Sequence, residues 1–180
     1  LLQSAGWENE PDSIAEQRTI TDGRIVPVGK GFIRKPPKWV DYLLRYRRDF
    51  PLAAVEAKAT YKHPADGLQQ AKQYAEILGL KFAYATNGHD IVEIDFSDPK
   101  QPVIRDIQEF PSPQELWGRF LQDQGVSETP LGEQLLSTPY DYTLRNSDST
   151  SQRPRYYQRV AVTRALAALA RDERRILLVL

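Results

Sequence analysis

Apolar positions along this chain change period several times, and each change marks an element. Residues 39–46 and 52–58 are strand-like, and Arg47-Arg48-Asp49-Phe50-Pro51 between them reads as a hairpin loop. Within the second strand, Leu52-Ala53-Ala54-Val55 is an apolar run suited to a central, buried position. The period then becomes helical over 65–79, where Leu68, Ala71, Ala75 and Leu78 recur three or four apart and Gly79 closes the helix. Phe82-Ala83-Tyr84-Ala85-Thr86 and Ile91-Val92-Glu93-Ile94-Asp95-Phe96 return to strand around the turn signal Asn87-Gly88. Strands, helix, strands is an α+β order, spanning about 100 residues.

The flanks are less regular. Strand candidates at 18–21 and 24–27 surround Asp22-Gly23 and predict a hairpin, and Pro36-Pro37 then breaks the chain. Leu1 to Trp7 reads as the last turn of a helix stopped by Gly6. From 99 to 154 the pattern loosens, apart from a helix over 113–124 capped by Ser112, with Leu116, Trp117, Phe120 and Leu121 on its apolar face. Residues 146–152 look like a linker. An Ala-rich helix over 155–171 follows, with Val160, Ala161, Ala165, Leu166, Ala168 and Leu169 as its apolar positions, and 175–180 is a buried-strand pattern. A domain boundary is expected near 125–153. With no methionine anywhere and a strand pattern at its last residue, the sequence reads as a fragment.

Composition narrows the chemistry. Lys+Arg and Asp+Glu are equal at 24 each, so any attraction for nucleic acid must be local. There is no cysteine, which excludes thiolate metal sites and cysteine nucleophiles, and two histidines cannot build a histidine cage. A metal would be held by oxygen, which favours Mg²⁺, Mn²⁺ or Ca²⁺. No apolar run approaches the roughly 20 residues of a membrane span and no secretory signal is visible, so a soluble, cytoplasmic protein is expected.

The informative constellation is Asp41 with Glu56-Ala57-Lys58. In an antiparallel hairpin of 39–46 with 52–58, paired residue numbers sum to about 97–99. A sum of 97 or 99 places Asp41 on the face of Glu56 and Lys58; 98 places it on the other. Glu56 and Lys58 share a face in any register. Neighbouring carboxylates repel unless a cation lies between them, so Asp41 and Glu56 suit Mg²⁺, with the Ala57 carbonyl as a third oxygen. Lys58 could hold a water or a phosphate oxygen, and such a set serves phosphodiester hydrolysis. The plain alternative is a surface ion pair between Glu56 and Lys58, since Glu-x-Lys is common. Against it stands the buried run they terminate, where charges need a partner or a metal. Gln70 and Tyr74, four apart on one helical face, could meet phosphate or base edges, or be ordinary solvent-facing residues.

Taken together, Asp41-Tyr42-Leu43-Leu44, Ala54-Val55-Glu56-Ala57-Lys58, Gly67-Leu68-Gln69-Gln70-Ala71-Lys72-Gln73-Tyr74-Ala75 and Ala85-Thr86-Asn87-Gly88 resemble, in order, the N-terminal nuclease region of the restriction (R) subunits of type I restriction enzymes. The resemblance implies a PD-(D/E)xK nuclease fold with Asp41, Glu56 and Lys58 as its motif, Asp41, Glu56 and Ala57 at the metal, and Gln70 and Tyr74 as a Gln-x-x-x-Tyr motif that positions DNA. Val40 stands where the motif name has proline, and the acidic residue that the family carries on its first helix would precede Leu1. Arg155-Tyr156-Tyr157-Gln158 and the helix after it look like the entry to a superfamily-two helicase motor, with Gln158 as the adenine contact. The resemblance thus implies an endonuclease domain over 1–125, a linker over 126–153 and the truncated start of a translocase over 154–180. It also implies Mg²⁺ with Mn²⁺ as substitute, ATP in the full-length protein only, double-stranded DNA as substrate, and modification and specificity subunits as partners.

Charge fits this modestly. Lys30 to Arg48 contains seven basic residues and one acidic, a local excess in which Lys35 and Lys38 are the expected DNA contacts. The competing reading is a non-catalytic DNA-binding or docking module that braces the motor, and binding of metal separates the two. A metal-free two-carboxylate hydrolase is weaker, because Lys58 is a poor neighbour for an acid of raised pKa.

Overall fold

The computed structural model describes residues 2–9, 11–21, 25–29, 31–34, 36–98, 100, 102–126, 130–138, 154 and 156–177. Its elements are β1 (Ile14–Thr21), β2 (Ile25–Val28), β3 (Gly31–Arg34), β4 (Lys38–Arg47), β5 (Phe50–Ala57), α1 (Leu68–Leu78), β6 (Phe82–Thr86), β7 (Asp90–Asp95), β8 (Val103–Asp106), α2 (Pro113–Asp123), α3 (Pro130–Ser137) and α4 (Tyr156–Ala170). Short 3₁₀ turns at Pro64–Gly67 and Ile107–Glu109 lead into α1 and towards α2.

Six strands form one mixed sheet in the order β1-β4-β5-β6-β7-β8. Only β5 and β6 run parallel, because α1 carries the chain back between them. The expected α+β architecture is therefore present. β4 and β5 pair Tyr42 with Val55, Leu43 with Ala54 and Leu44 with Ala53, a register sum of 97. Period two then sends Leu43, Ala54 and Ala83 to one face, where Ala71, Ala75 and Leu78 of α1 pack with Val40. Leu44, Leu52, Val55, Phe82 and Tyr84 go to the other, under Leu116, Trp117 and Leu121 of α2. Both faces of β5 are covered, which is why its sequence is apolar without alternation. Ser112 caps α2 in a reciprocal capping box with Glu115.

Several expectations are corrected. β1 pairs with β4, and β2 pairs with β3, so the strands flanking Asp22-Gly23 do not form one hairpin; residues 22–24 themselves lie outside the described set. β8 adds an edge strand where a loose segment was expected; its two apolar residues, Val103 and Ile104, are adjacent and leave no alternation to read. Within the segment expected to be a linker, Val126 is buried and α3 places Leu136 in the core. Ala167 of α4 belongs to the same core. Residues 171–177 contain no strand, and 178–180 lie outside the described residues, as do 139–153. At the start, Trp7 N donates to Leu2 O and Gly6 N to Gln3 O, with Gly6 at φ +87°. That is the paired hydrogen-bond pattern of a helix stop, as expected, here closing a set of turns.

Candidate active site

One end of the sheet carries the constellation. Asp41 lies near the start of β4, and Glu56 near the end of the antiparallel β5, so the two meet at the same edge. The register sum of 97 makes them direct neighbours on the α1 face. The Ala57 N–H donates to Asp41 Oδ2 at 2.8 Å, which pins that carboxylate across the strands. Lys58 follows the last β5 residue and is held by its own N–H, which donates to Thr86 O.

Lys58 Nζ donates to Glu56 Oε1 at 2.8 Å and to Gln70 Oε1 at 3.3 Å. Gln70 Nε2 in turn donates to Tyr74 Oη at 2.6 Å. The structure therefore gathers Asp41, Glu56, Lys58, Gln70 and Tyr74, and links the last four in one hydrogen-bonded chain. Gln70 and Tyr74 are not solvent-facing: Tyr74 is buried, and Gln70 orients the lysine.

Glu56 is 3% exposed, and its Oε2 has no hydrogen-bond partner. Burial is the main cause of a raised Glu56 pKa, opposed by the Lys58 hydrogen bond and reinforced by the Asp41 charge. The same contact with Glu56 raises the Lys58 pKa above its ordinary value. Burial also raises that of Tyr74. A buried carboxylate with one orphan oxygen beside a second carboxylate fits a divalent cation bound by oxygen. Among the described residues no group of three or more His, Cys, Asp and Glu is placed to hold a metal ion, so most of the remaining ligands of such an ion would be waters, as suits Mg²⁺.

The other expected residues divide. Lys38 is near, with Nζ donating to Gln73 Oε1 at 3.2 Å and lying 5.9 Å from the Tyr74 ring centre. Lys35 lies outside the described residues. The basic stretch itself is split. Arg45 donates to Arg48 O and Arg47 pairs with Glu133 of α3, both towards the far end of β4, roughly 13 and 20 Å from Asp41 at about 3.3 Å per residue. Gln158 is exposed on α4, whose Val160 meets Gly79 at the end of α1 opposite Gln70.

Two features escaped the sequence reading. Gly67, at the turn into α1, lies directly against the Glu56 and Lys58 side chains. On the opposite face of the sheet, Arg119 of α2 donates to both oxygens of Glu93 and to Asp95, and Lys81 pairs with Asp95 and Asp123. The i, i+2 acids Glu93 and Asp95 were a visible signal for that network, but their partners are brought in by tertiary folding alone.

No family model matches the chain. It is 32% identical over 182 residues to the type I restriction enzyme EcoAI endonuclease subunit of Escherichia coli, a match covering 99% of this chain and 22% of that protein. It superposes on the fragment structure of a putative HsdR subunit of a type I restriction enzyme from Vibrio vulnificus YJ016 with TM-score 0.76 and 43% identity, covering 94% of this chain and 30% of that one. The chain thus spans about a fifth of the curated relative's length. Likeness of sequence over nearly the whole chain, and of fold over 94% of it, make the chain similar to an HsdR-type N-terminal region of type I restriction enzymes.

Proposed function

We propose that this chain is the PD-(D/E)xK nuclease region of such a subunit, hydrolysing phosphodiester bonds of double-stranded DNA with Mg²⁺. The observation that carries the reading is the unpartnered, buried Glu56 Oε2 beside Asp41. Asp41, Glu56 and the Ala57 carbonyl would hold the ion, which when bound supplies Lewis-acid polarisation of the phosphoryl group and a water of lowered pKa. Lys58 has three N–H donors, and Glu56 and Gln70 take two of them. The third is free to hold a phosphoryl oxygen or the attacking water, and Glu56 keeps the amine protonated for that task. Tyr74 Oη accepts from Gln70, leaving its own proton for a flanking phosphate. Lys38 adds charge beside it.

In the whole protein this region would be joined to an ATP-driven translocase entered through α4, with Gln158 at the adenine, and would assemble with modification and specificity subunits. No helix among the described residues is long and apolar enough to cross a membrane. The packing of α3 and α4 onto the core supports an added bracing role. The test uses the full-length subunit in its complex. Asp41→Ala and Glu56→Ala should each abolish DNA cleavage and leave ATP hydrolysis intact. Cleavage by both variants at the wild-type rate would refute the assignment.

A further inference from the structure

Gly67 sits where the 3₁₀ turn Pro64–Gly67 runs into α1, at φ −90° and ψ −11°. That is the edge of the right-handed helical region, towards the bridge region, and it does not require glycine. Gly67 is the N-cap of α1, where glycine is preferred to alanine but Ser, Asp and Asn, whose side-chain oxygen can cap, rank higher. Gly67 makes no side-chain cap bond. The local conformation therefore accepts glycine but favours a capping side chain.

The surroundings ask for glycine. A Cβ at Gly67 would lie 3.0 Å from Glu56 Cγ, 3.0 Å from Lys58 Cε and 3.3 Å from Lys58 Cγ. All three are shorter than the optimum of about 3.5–4.0 Å for carbon contacts. The Lys58 stem crosses the bare face of Gly67 to reach both Glu56 and Gln70. Backbone is absent from these contacts, so an added methyl would be relieved by moving side chains. The one with the most freedom is Lys58, and its movement breaks the bonds that aim its amine.

We propose that Gly67 is a positioning residue of the site, kept without a side chain so that Lys58 can stand between Glu56 and Gln70. This rests on the nuclease reading above and adds to it a residue outside the motif. It also explains why the turn enters α1 without a side-chain cap.

The test compares Gly67→Ala, Glu56→Ala and wild type in the full-length subunit within its complex. Single-turnover cleavage at saturating DNA, DNA affinity, ATP hydrolysis and the rate of chemical acylation of the Lys58 amine (read by mass spectrometry) are measured. Gly67→Ala should cut at least tenfold more slowly, with DNA affinity and ATP hydrolysis within twofold of wild type. Lys58 should be acylated several-fold faster, the other lysines unchanged. Wild-type cleavage and wild-type Lys58 reactivity in Gly67→Ala would overturn the proposal. So would joint loss of DNA binding, ATP hydrolysis and cleavage, which would make Gly67 a folding residue. Glu56→Ala separates the two levels: if it too cleaves normally, the nuclease reading has failed, and if it alone is inactive, only the role of Gly67 has.

Discussion

The two faces of the sheet each hold a pair of acidic residues, Glu93 with Asp95 on one and the half-buried Asp41 with the buried Glu56 on the other, and they treat them in opposite ways. On the α2 face, every oxygen of Glu93 and Asp95 has a donor. Arg119 covers both Glu93 oxygens and reaches Asp95 Oδ2, Tyr84 Oη adds 2.8 Å to Glu93 Oε2, and Lys81 takes Asp95 Oδ1 at 2.9 Å. On the α1 face, Asp41 Oδ2 accepts from the Ala57 N–H and Glu56 Oε1 from Lys58 Nζ, and Glu56 Oε2 has no donor. A folded chain can satisfy buried carboxylates, and does so where α2 meets β7. Leaving one unsatisfied at the β4–β5 edge is costly, and such a cost marks a place for a ligand rather than for structure.

The sharpest way to break this contrast is to remove one charged group from each face: the Glu56 carboxylate on one, and on the other the Arg119 guanidinium that satisfies Glu93. Glu56→Ala should lower cleavage by the full-length complex at least a hundredfold while the fold persists, measured by single-turnover DNA cleavage alongside circular dichroism. Arg119→Ala should do the reverse, destabilising the chain by about 3–5 kcal/mol in denaturant unfolding, because it strands Glu93. Equal loss of stability in both variants would erase the distinction.

A smaller effect concerns Glu56→Gln without metal. Burial raises the Glu56 pKa, so between its unfolded value of 4.5 and the raised folded value the native state holds a proton that the unfolded state releases. Stability therefore falls as pH rises through that window. At neutral pH the glutamine variant should be more stable by about 1 kcal/mol, the low end for an unpaired buried polar group, with the gain vanishing towards pH 4.5. Thermal melts at several pH values check this; a destabilised variant at neutral pH would contradict it. The same shift predicts that Mn²⁺ affinity drops as pH falls at values above 4.5.

The smallest expected change is at the rim. Lys38→Ala should weaken DNA binding a few-fold and reduce the slope of log affinity against log salt by about 1, as for one lost phosphate contact. An unchanged slope in fluorescence anisotropy would remove Lys38 from the DNA path.

What was legible in the sequence follows from the range of the interactions involved. The α1 helix with its Gly79 stop, the Asn87-Gly88 turn and the Ser112 cap are local signals, and each appears where the pattern put it. The face shared by Asp41 and Glu56 depended on one register number, and the pattern left two values open that would serve; the hairpin adopts 97. The partner of β1 was not legible, since strand pairing across the intervening residues 22–37 and the β2–β3 hairpin has no local signature. β8 and α3 were missed because one is mostly exposed and the other is a short helix whose Leu136 finds its burial only in the assembled core. Gly67 was visible as a letter but not as a contact, because its role depends on how closely α1 approaches β5.

The account turns on one claim, that Asp41 and Glu56 form a cation site. The most direct test is a calorimetric titration of the 180-residue chain with Mn²⁺ in the presence of a short DNA duplex, wild type against Glu56→Gln. One saturable site present in the wild type and absent in the variant is the predicted result. Equal binding in both, or none in either, would contradict it.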